Sequence, residues 1–321
     1  MKTFMFVDLT LIAVLIGLTC SPAARSESAV FGIFEGTSPC DAVSRKPLQI
    51  PTTVNCEMIK WSLILFQNRD SIDPTTYELN FSYGLSQSNT NGLINGGTKV
   101  ARRGRWTTAH GTTTAPNAVT FELDKGSAGA MSFLKLDHNV LHLLDSDRNL
   151  AVGNAGWSYT LSRRDTLQKQ TDLANATATS SFQSAQINSL STGAPLSSVL
   201  GRFVGRSPCV QVARELRKTV GADCMKVKWD LTLYQDSKTL AQTTYELRGT
   251  FYRDRIRKGT WTVLRGARGN RAAVVYQLNA DAPDGSLMLL KGDDNILFFL
   301  DGDRNLMIGN GDFSYTLNRK K

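Results

Sequence analysis

The sequence contains one long pattern twice. Residues 32–40, GIFEGTSPC, return as residues 201–209, GRFVGRSPC, and residues 144–161, LDSDRNLAVGNAGWSYTL, return as residues 300–317, LDGDRNLMIGNGDFSYTL. Shorter matches lie between these anchors in the same order. Each unit exceeds 100 residues, which is too long for a solenoid repeat and long enough for its own hydrophobic core. The chain is therefore a tandem duplication of a whole domain.

The first residues are typical of an export signal. A mostly apolar run from Phe4 to Gly17, interrupted by the charge of Asp8, is too short to span a membrane, and small polar residues follow it. We therefore predict a signal peptide over residues 1–26. Cys20 stands where a bacterial lipoprotein carries its acylated cysteine, whereas cleavage in Ala24-Arg25-Ser26 would remove Cys20. The sequence leaves lipidation and free secretion both open.

Each unit carries two cysteines, Cys40 and Cys56 in the first and Cys209 and Cys224 in the second. In an exported chain, an even number of cysteines at repeated spacing predicts disulfides. Four cysteines allow three pairings. The duplication favours one bridge within each unit, because each unit folded alone before it was doubled. Each bridge would close a loop of about fifteen residues and stabilise the fold by about 3 kcal/mol.

Both units have the alternation of apolar and polar residues that predicts strands with one buried face. Examples are residues 61–65, WSLIL, and residues 245–247, YEL. Asn- and Asp-rich segments such as 137–139 and 145–149 predict hairpin turns. The closing Ser-Tyr-Thr-Leu strand of each unit is expected to pair with the opening strand and to remove the exposed edges. The pattern predicts an all-β chain of two small antiparallel barrels or sandwiches.

Other segments predict a helix, a long loop and the linker between the units. Residues 212–220 have helical periodicity, whereas Pro47 and Pro51 argue against a helix at the matching place in the first unit. Residues 87–99 predict a long polar hairpin loop. A segment rich in Ser, Thr, Ala and Gln predicts a flexible linker. The chain then divides into a signal peptide (1–26), repeat 1 (30–164), the linker (165–198) and repeat 2 (199–321).

The positive charge is concentrated in the second unit. Residues 201–321 carry 21 Lys and Arg against 13 Asp and Glu, a balance of +8 in a chain whose net charge is +9. Four cations cluster in one short turn: Arg253, Arg255, Arg257 and Lys258. They predict either a solvated loop or a contact with an anionic envelope surface. Nucleic acid is not an expected partner, because the chain is exported and lacks a base-stacking motif.

The ordered residues resemble a known family. The motifs occur in a fixed order: Gly-x-Phe-x-Gly-x-Ser-Pro-Cys, a second Cys before alternating Leu, Thr-Tyr, Gly-x-Trp, and Leu-Leu-Asp before a Tyr-Thr-Leu strand. This order resembles the N-terminal domain of NlpE-type copper-resistance lipoproteins. The likeness covers both units. It implies a lipocalin-like barrel, a location in the periplasm or at the outer membrane, and a role in copper tolerance or envelope-stress sensing. It also implies an outer-membrane or envelope-stress sensor protein as partner.

The chain departs from that family at its cysteines. The family has Pro-Cys-x-x-Cys, whereas here fifteen residues separate Cys40 from Cys56 and fourteen separate Cys209 from Cys224. The pairs are therefore candidate copper ligands, with Met58 and Met225 as nearby soft atoms, but disulfides are the preferred prediction. His138 and His142 are a weaker metal pair. Residues 145–149 lack the Gly and Glu of a calcium loop and predict a turn.

No catalytic motif stands out, neither a nucleophile elbow, a zinc-protease helix nor a phosphate loop, so no enzymatic activity is predicted. The expected function is a non-catalytic envelope protein with copper as a possible ligand. Two alternatives stay open. One is a binding module for a small apolar ligand or an anionic envelope surface. The other is a thiol-redox protein that uses the cysteine pairs.

Overall fold

The computed structural model describes residues 28–165, 197–279 and 285–320, and these form two closed, eight-stranded antiparallel barrels. The two-barrel expectation is confirmed. The signal peptide with Cys20 and residues 166–196 of the proposed linker lie outside the described residues. The first barrel begins at Ser28, and the second begins at Ser197, inside the segment assigned to the linker. No described helix has the length and apolar character needed to cross a bilayer.

The first barrel consists of eight strands in chain order with one short helix. They are β1 (Ser28–Pro39), α1 (Ala42–Leu48), β2 (Met58–Asn68), β3 (Pro74–Gly84), β4 (Thr98–His110), β5 (Val119–Leu123), β6 (Met131–Lys135), β7 (Val140–Leu143) and β8 (Thr160–Arg163). Each strand pairs with the next, and β8 returns to β1.

The second barrel repeats this order. Its elements are β9 (Ser197–Ser207), α2 (Val210–Glu215), β10 (Val227–Asp236), β11 (Gln242–Gly249), β12 (Arg257–Ala267), β13 (Asn270–Leu278), β14 (Leu287–Lys291), β15 (Ile296–Leu300) and β16 (Thr316–Arg319). Here β16 closes the sheet against β9. Both closures confirm the predicted pairing of the last strand with the first.

Inward-facing and outward-facing residues alternate along the strands, and the inward-facing ones form the hydrophobic core of each barrel. In β2 the residues Ile59, Trp61, Leu63 and Leu65 are buried and point inward, while the intervening residues point outward. The Trp61 indole donates to the Ser38 hydroxyl at 2.8 Å. The duplicated Trp229 donates to the Ser207 hydroxyl at 2.9 Å, so the buried indole nitrogen has a partner in both repeats.

The repeated Gly-x-Phe-x-Gly motif is explained by how the barrel closes. A Cβ at Gly36 would lie 2.6 Å from the carbonyl oxygen of Thr160 in the closing strand, and one at Gly205 would lie 2.5 Å from that of Thr316. The first glycine of the motif has another role. The Phe34 ring folds over Gly32, where a Cβ would meet it at 2.8 Å. The motif therefore permits the tight crossing of the first and last strands.

The inserts between the paired cysteines both contain a helix. The prediction that Pro47 would prevent one in the first barrel was wrong, because Pro47 lies in the last turn of α1 and leaves the first turn intact. The Asp41 carboxylate caps that first turn by accepting from the Val43 backbone N–H at 3.0 Å. In the second barrel α2 ends at Glu215, earlier than predicted, and Leu216 packs into the core just beyond it.

The long loop of the first barrel has a defined conformation. Residues 85–97 are stabilised by a bridge between Ser86 and Leu93, and Leu93 is buried. The loop reaches the second barrel, where the Asn91 side chain donates to the Asp312 carboxylate at 3.1 Å. Asp312 also pairs with Lys60 of the first barrel at 2.8 Å. The extra residues of the first repeat thus contribute to the contact between the barrels.

The two barrels meet along a seam that joins equivalent residues. The hydroxyls of Ser158 and Ser314 lie 2.6 Å apart, and those of Thr160 and Thr316 lie 2.9 Å apart, each pair being separated by 156 positions. Such self-pairing is the mark of a two-fold interface, here between two repeats of one chain. We call the region formed by β7, β8, β15, β16 and the segments after β7 and β15 the seam.

Reciprocal hydrogen bonds between the barrels follow the same two-fold relation. The backbone N–H of Gly153 donates to the Asn318 side chain at 2.8 Å, and that of the equivalent Gly309 donates to the Ser162 hydroxyl at 3.0 Å. An apolar cluster from both barrels lies beside these bonds. Its buried members are Leu144, Leu150, Ile296 and Phe298.

Candidate functional site

One disulfide closes each insert at an end of its barrel. Cys40 bonds to Cys56 with the Cα atoms 5.6 Å apart, and Cys209 bonds to Cys224 with the Cα atoms 6.0 Å apart. The preferred pairing is confirmed. The first cysteine of each pair is buried and the second is only half-buried. Two disulfides indicate an oxidising, extracytoplasmic environment.

A single arginine organises the first insert. The Arg45 guanidinium donates to the carbonyl oxygens of Cys40, Pro51, Val54 and Cys56 at 3.0, 2.9, 3.1 and 3.3 Å. It therefore holds both ends of the disulfide loop by their backbone. This role of Arg45 was not predicted, and no repeated motif signals it: the same Cys-x-x-x-x-Arg spacing recurs at Cys209 and Arg214, but the described structure gives Arg214 no such set of contacts.

A buried tyrosine from the closing region contacts the start of each insert helix. The Tyr159 hydroxyl donates to the Asp41 carboxylate, and burial raises the pKa of Tyr159, so it stays a protonated donor. Its counterpart Tyr315 is also buried, and burial raises its pKa, while the backbone N–H groups of Gln211 and Val212 favour the opposite change. The two repeats thus anchor the helix N-terminus with the same side chain in different ways.

The sulfur atoms in this oxidation state do not fit a copper site. Each disulfide sulfur is bonded to another sulfur and offers no thiolate to a soft metal. The two nearby thioethers have different environments in the two repeats, since Met58 is buried and Met225 is half exposed. Within residues 28–165, 197–279 and 285–320, no group of three or more His, Cys, Asp or Glu side chains is arranged to hold a metal ion.

The candidate pair His138 and His142 does not form a metal site. His138 is exposed in the β6–β7 turn. His142 is fully buried in the seam, where its two ring nitrogens contact the Thr160 hydroxyl at 2.8 Å and the Ala151 carbonyl at 3.0 Å. Its ring meets that of Phe298, the equivalent residue of the second barrel, edge to face at 5.3 Å. His142 is therefore a packing residue of the seam.

Burial lowers the pKa of His142 from 6.5 to about 4. Between these values the unfolded chain binds a proton that the folded chain does not, so the free energy of unfolding falls as pH decreases from about 6.5 to about 4. The loss should approach about 3 kcal/mol. Urea denaturation at several pH values measures this loss of unfolding free energy. His142→Phe should flatten the dependence of the unfolding free energy on pH between about 6.5 and about 4, whereas His138→Asn, at an exposed position, should not. An unchanged slope in His142→Phe would refute the assignment.

The most strongly repeated turn is structural. The Asp145 carboxylate accepts from the backbone N–H groups of Asp147 and Asn149, both at 2.9 Å. Arg148 adopts a left-handed backbone with φ of 63° and reaches the Glu122 carboxylate at 2.8 Å and the Gly111 carbonyl. The predicted turn is confirmed. The Asp145 carboxylate satisfies backbone donors within the turn.

Packed side chains occupy the barrel interiors. In the first barrel the Trp61 ring contacts the rings of Phe81 and Phe133, each at a centroid distance of 6.5 Å. Two surface depressions are more open. A cleft of about 640 Å³ lies between the outer face of β1–β4 and the Gly311–Asp312 segment of the second barrel. A groove of about 750 Å³ lies at one end of the second barrel, along residues 250–258.

The basic cluster of the second repeat lies in this groove, but not all of it is exposed. Arg257 is buried, and it donates to the Tyr252 hydroxyl at 2.9 Å and to the Gly285 carbonyl. Its inclusion in an exposed anionic contact was therefore wrong. Lys258 is exposed and pairs with Glu246 at 2.7 Å. Arg253 and Arg255 remain as exposed cations.

Comparisons of this chain with models of protein families, with curated proteins and with solved structures find no match.

Proposed function

We propose that the chain is a non-catalytic protein of the bacterial cell envelope, similar in type to NlpE, that acts in copper tolerance or in sensing envelope stress. The supporting observation is the disulfide at the end of each barrel, in a chain whose first residues predict an export signal. It would reside in the periplasm or, if Cys20 is acylated, at the outer membrane. Its expected partner is an outer-membrane or stress-sensor protein.

The position of the disulfides suggests what would be sensed. Each bridge holds a short helical insert against the barrel end, and its second cysteine, Cys56 or Cys224, is half-buried and accessible to a reductant. The strands carry their own buried core. Reduction would therefore release an insert while the barrel persists, which converts the redox state of the compartment into a local change of shape.

Copper would enter this account only through the reduced protein. The cysteines flank the ends of paired strands, beside Pro39–Met58 in the first barrel and Ser207–Val227 in the second. Strand pairing would therefore keep the two thiols of each pair near each other even when the insert between them is released. Thiolates are the ligands that Cu(I) prefers. The oxidised protein would have no such site, because each sulfur is already bonded.

Competition titration with a Cu(I) chelator tests the copper part on the full chain. The reduced protein should bind about two equivalents of Cu(I), and Cys40→Ser/Cys56→Ser or Cys209→Ser/Cys224→Ser should each remove one. The oxidised protein is the matched control and should bind none. If the reduced wild type binds no more tightly than a variant without any of the four cysteines, the copper role is refuted.

A further inference from the structure

The groove at the end of the second barrel arises from a difference between the repeats. In the first barrel the β3–β4 ladder passes the pair Leu79–Arg102 and continues to Tyr83–Thr98, and the loop beyond it buries Leu93. In the second barrel the equivalent β11–β12 ladder stops at Leu247–Arg257. The β11–β12 hairpin is therefore shorter than the β3–β4 hairpin. It leaves open a space that the longer hairpin and its loop fill in the first barrel.

A buried cation and an aromatic ring form one wall of the groove. The Arg257 guanidinium lies 5.8 Å from the centre of the Tyr252 ring, and the Lys218 ammonium lies 5.8 Å from the same ring. The equivalent Arg102 of the first barrel also lies 5.8 Å from an aromatic ring, that of Phe81, and donates to the carbonyls of Pro47 and Leu48. In the second barrel the guanidinium at this equivalent position lies in the wall of an open groove.

Two further cations in the groove are available to a ligand. Arg253 and Arg255 are exposed, and neither makes a hydrogen bond or ion pair with another described residue. Asp254 is the one carboxylate among the described lining residues, against five cations: Lys218, Arg253, Arg255, Arg257 and Lys258. A concave surface lined by one sign of charge concentrates counter-ions more strongly than a flat one.

We propose that this groove binds a phosphate-bearing anion, with Arg253 and Arg255 as its direct ligands and Lys218 at the rim. Guanidinium groups match phosphate oxygens with paired N–H donors, and the volume of about 750 Å³ lies in the range of small-ligand sites. The anion could be a free phosphorylated compound or a lipid headgroup, since both present the same oxygens. This inference does not depend on the copper proposal.

The test uses the full oxidised chain with two probes. Inorganic pyrophosphate is titrated calorimetrically at low salt, and vesicles of phosphatidylcholine with phosphatidylglycerol are cosedimented with the protein. The variant Arg253→Gln/Arg255→Gln should weaken binding at least about tenfold, as expected from the loss of two charge-assisted contacts. Both substitutions are at exposed positions, and an unchanged melting temperature would show that the fold is retained.

The matched control removes the same charge from the other end of the same barrel. Arg265→Gln/Arg271→Gln changes two exposed cations near the β12–β13 hairpin, about 26 Å along β12 from the groove. It should leave binding nearly unchanged. Pyrophosphate binding alone would support a free anion, and vesicle binding alone would support a headgroup. The proposal is overturned if neither probe binds, if the groove variant binds like the wild type, or if the control loses as much.

Discussion

Phe298→Asp is expected to separate the two barrels without unfolding either of them. Phe298 is 1% exposed and lies in the apolar cluster shared by both barrels, against the His142 ring. A carboxylate at this place would be desolvated without a partner, which should cost the seam more than about 3 kcal/mol. Small-angle scattering should show a larger radius of gyration, while far-UV circular dichroism should retain the β signal.

The control for this experiment places the same charge on a free surface. Val199→Asp in β9 introduces an aspartate at a position that is 58% exposed. It should leave the radius of gyration at the wild-type value. If Phe298→Asp also scatters like the wild type, the apolar cluster does not hold the barrels together.

Loss of a disulfide should destabilise the second barrel more than the first. Closing a loop of about fifteen residues is worth about 3 kcal/mol in either repeat. The first insert, however, keeps the four carbonyl contacts of Arg45, whereas the described structure gives the equivalent Arg214 no such set. Hydrogen exchange should therefore show α2 losing protection in Cys209→Ser/Cys224→Ser, and α1 keeping more of it in Cys40→Ser/Cys56→Ser.

A third variant identifies the source of that difference. Arg45→Gln in the Cys40→Ser/Cys56→Ser background should lower the protection of α1 to the level seen for α2. Equal exchange of α1 and α2 when only their disulfides are removed would contradict the role given to Arg45.

Much of the fold is predictable because it depends on local patterns. Alternating residues such as Trp61, Leu63 and Leu65 identify the strands and their buried face. The Asx turns begun by Asp137 and Asp145 follow from short-range hydrogen bonds. The disulfide pairing follows from the duplication itself. The strands and turns are each encoded within one repeat, whereas the pairing of the cysteines needs the comparison of the two.

The seam was not predicted, because it depends on how two distant surfaces meet. Its signal was nevertheless present in β15, where Ile296–Leu300 is apolar at every position and buried on both faces. A strand that faces only one core would alternate instead. The helix α1 was missed for a different reason. The Asp41 cap and the core contact of Leu48 outweigh Pro47 near the helix end.

The groove was predictable only in part. The sequence indicates four clustered cations, but it does not show that Arg257 turns inward to Tyr252 while Arg253 and Arg255 stay outside. That division follows from the strand register, since Arg257 is an inward position of β12 opposite Leu247. Charge counts alone cannot distinguish a structural cation from an available one.

The central claim is that the two repeats are joined through equivalent residues. A covalent bond across the seam tests this claim most directly. The Ser158 and Ser314 hydroxyls lie 2.6 Å apart, so Ser158→Cys/Ser314→Cys should form a third disulfide within a monomeric chain. Peptide mapping under non-reducing conditions should recover residues 158 and 314 in one linked fragment. Two free thiols at these positions, or a bond between two chains, would contradict the seam.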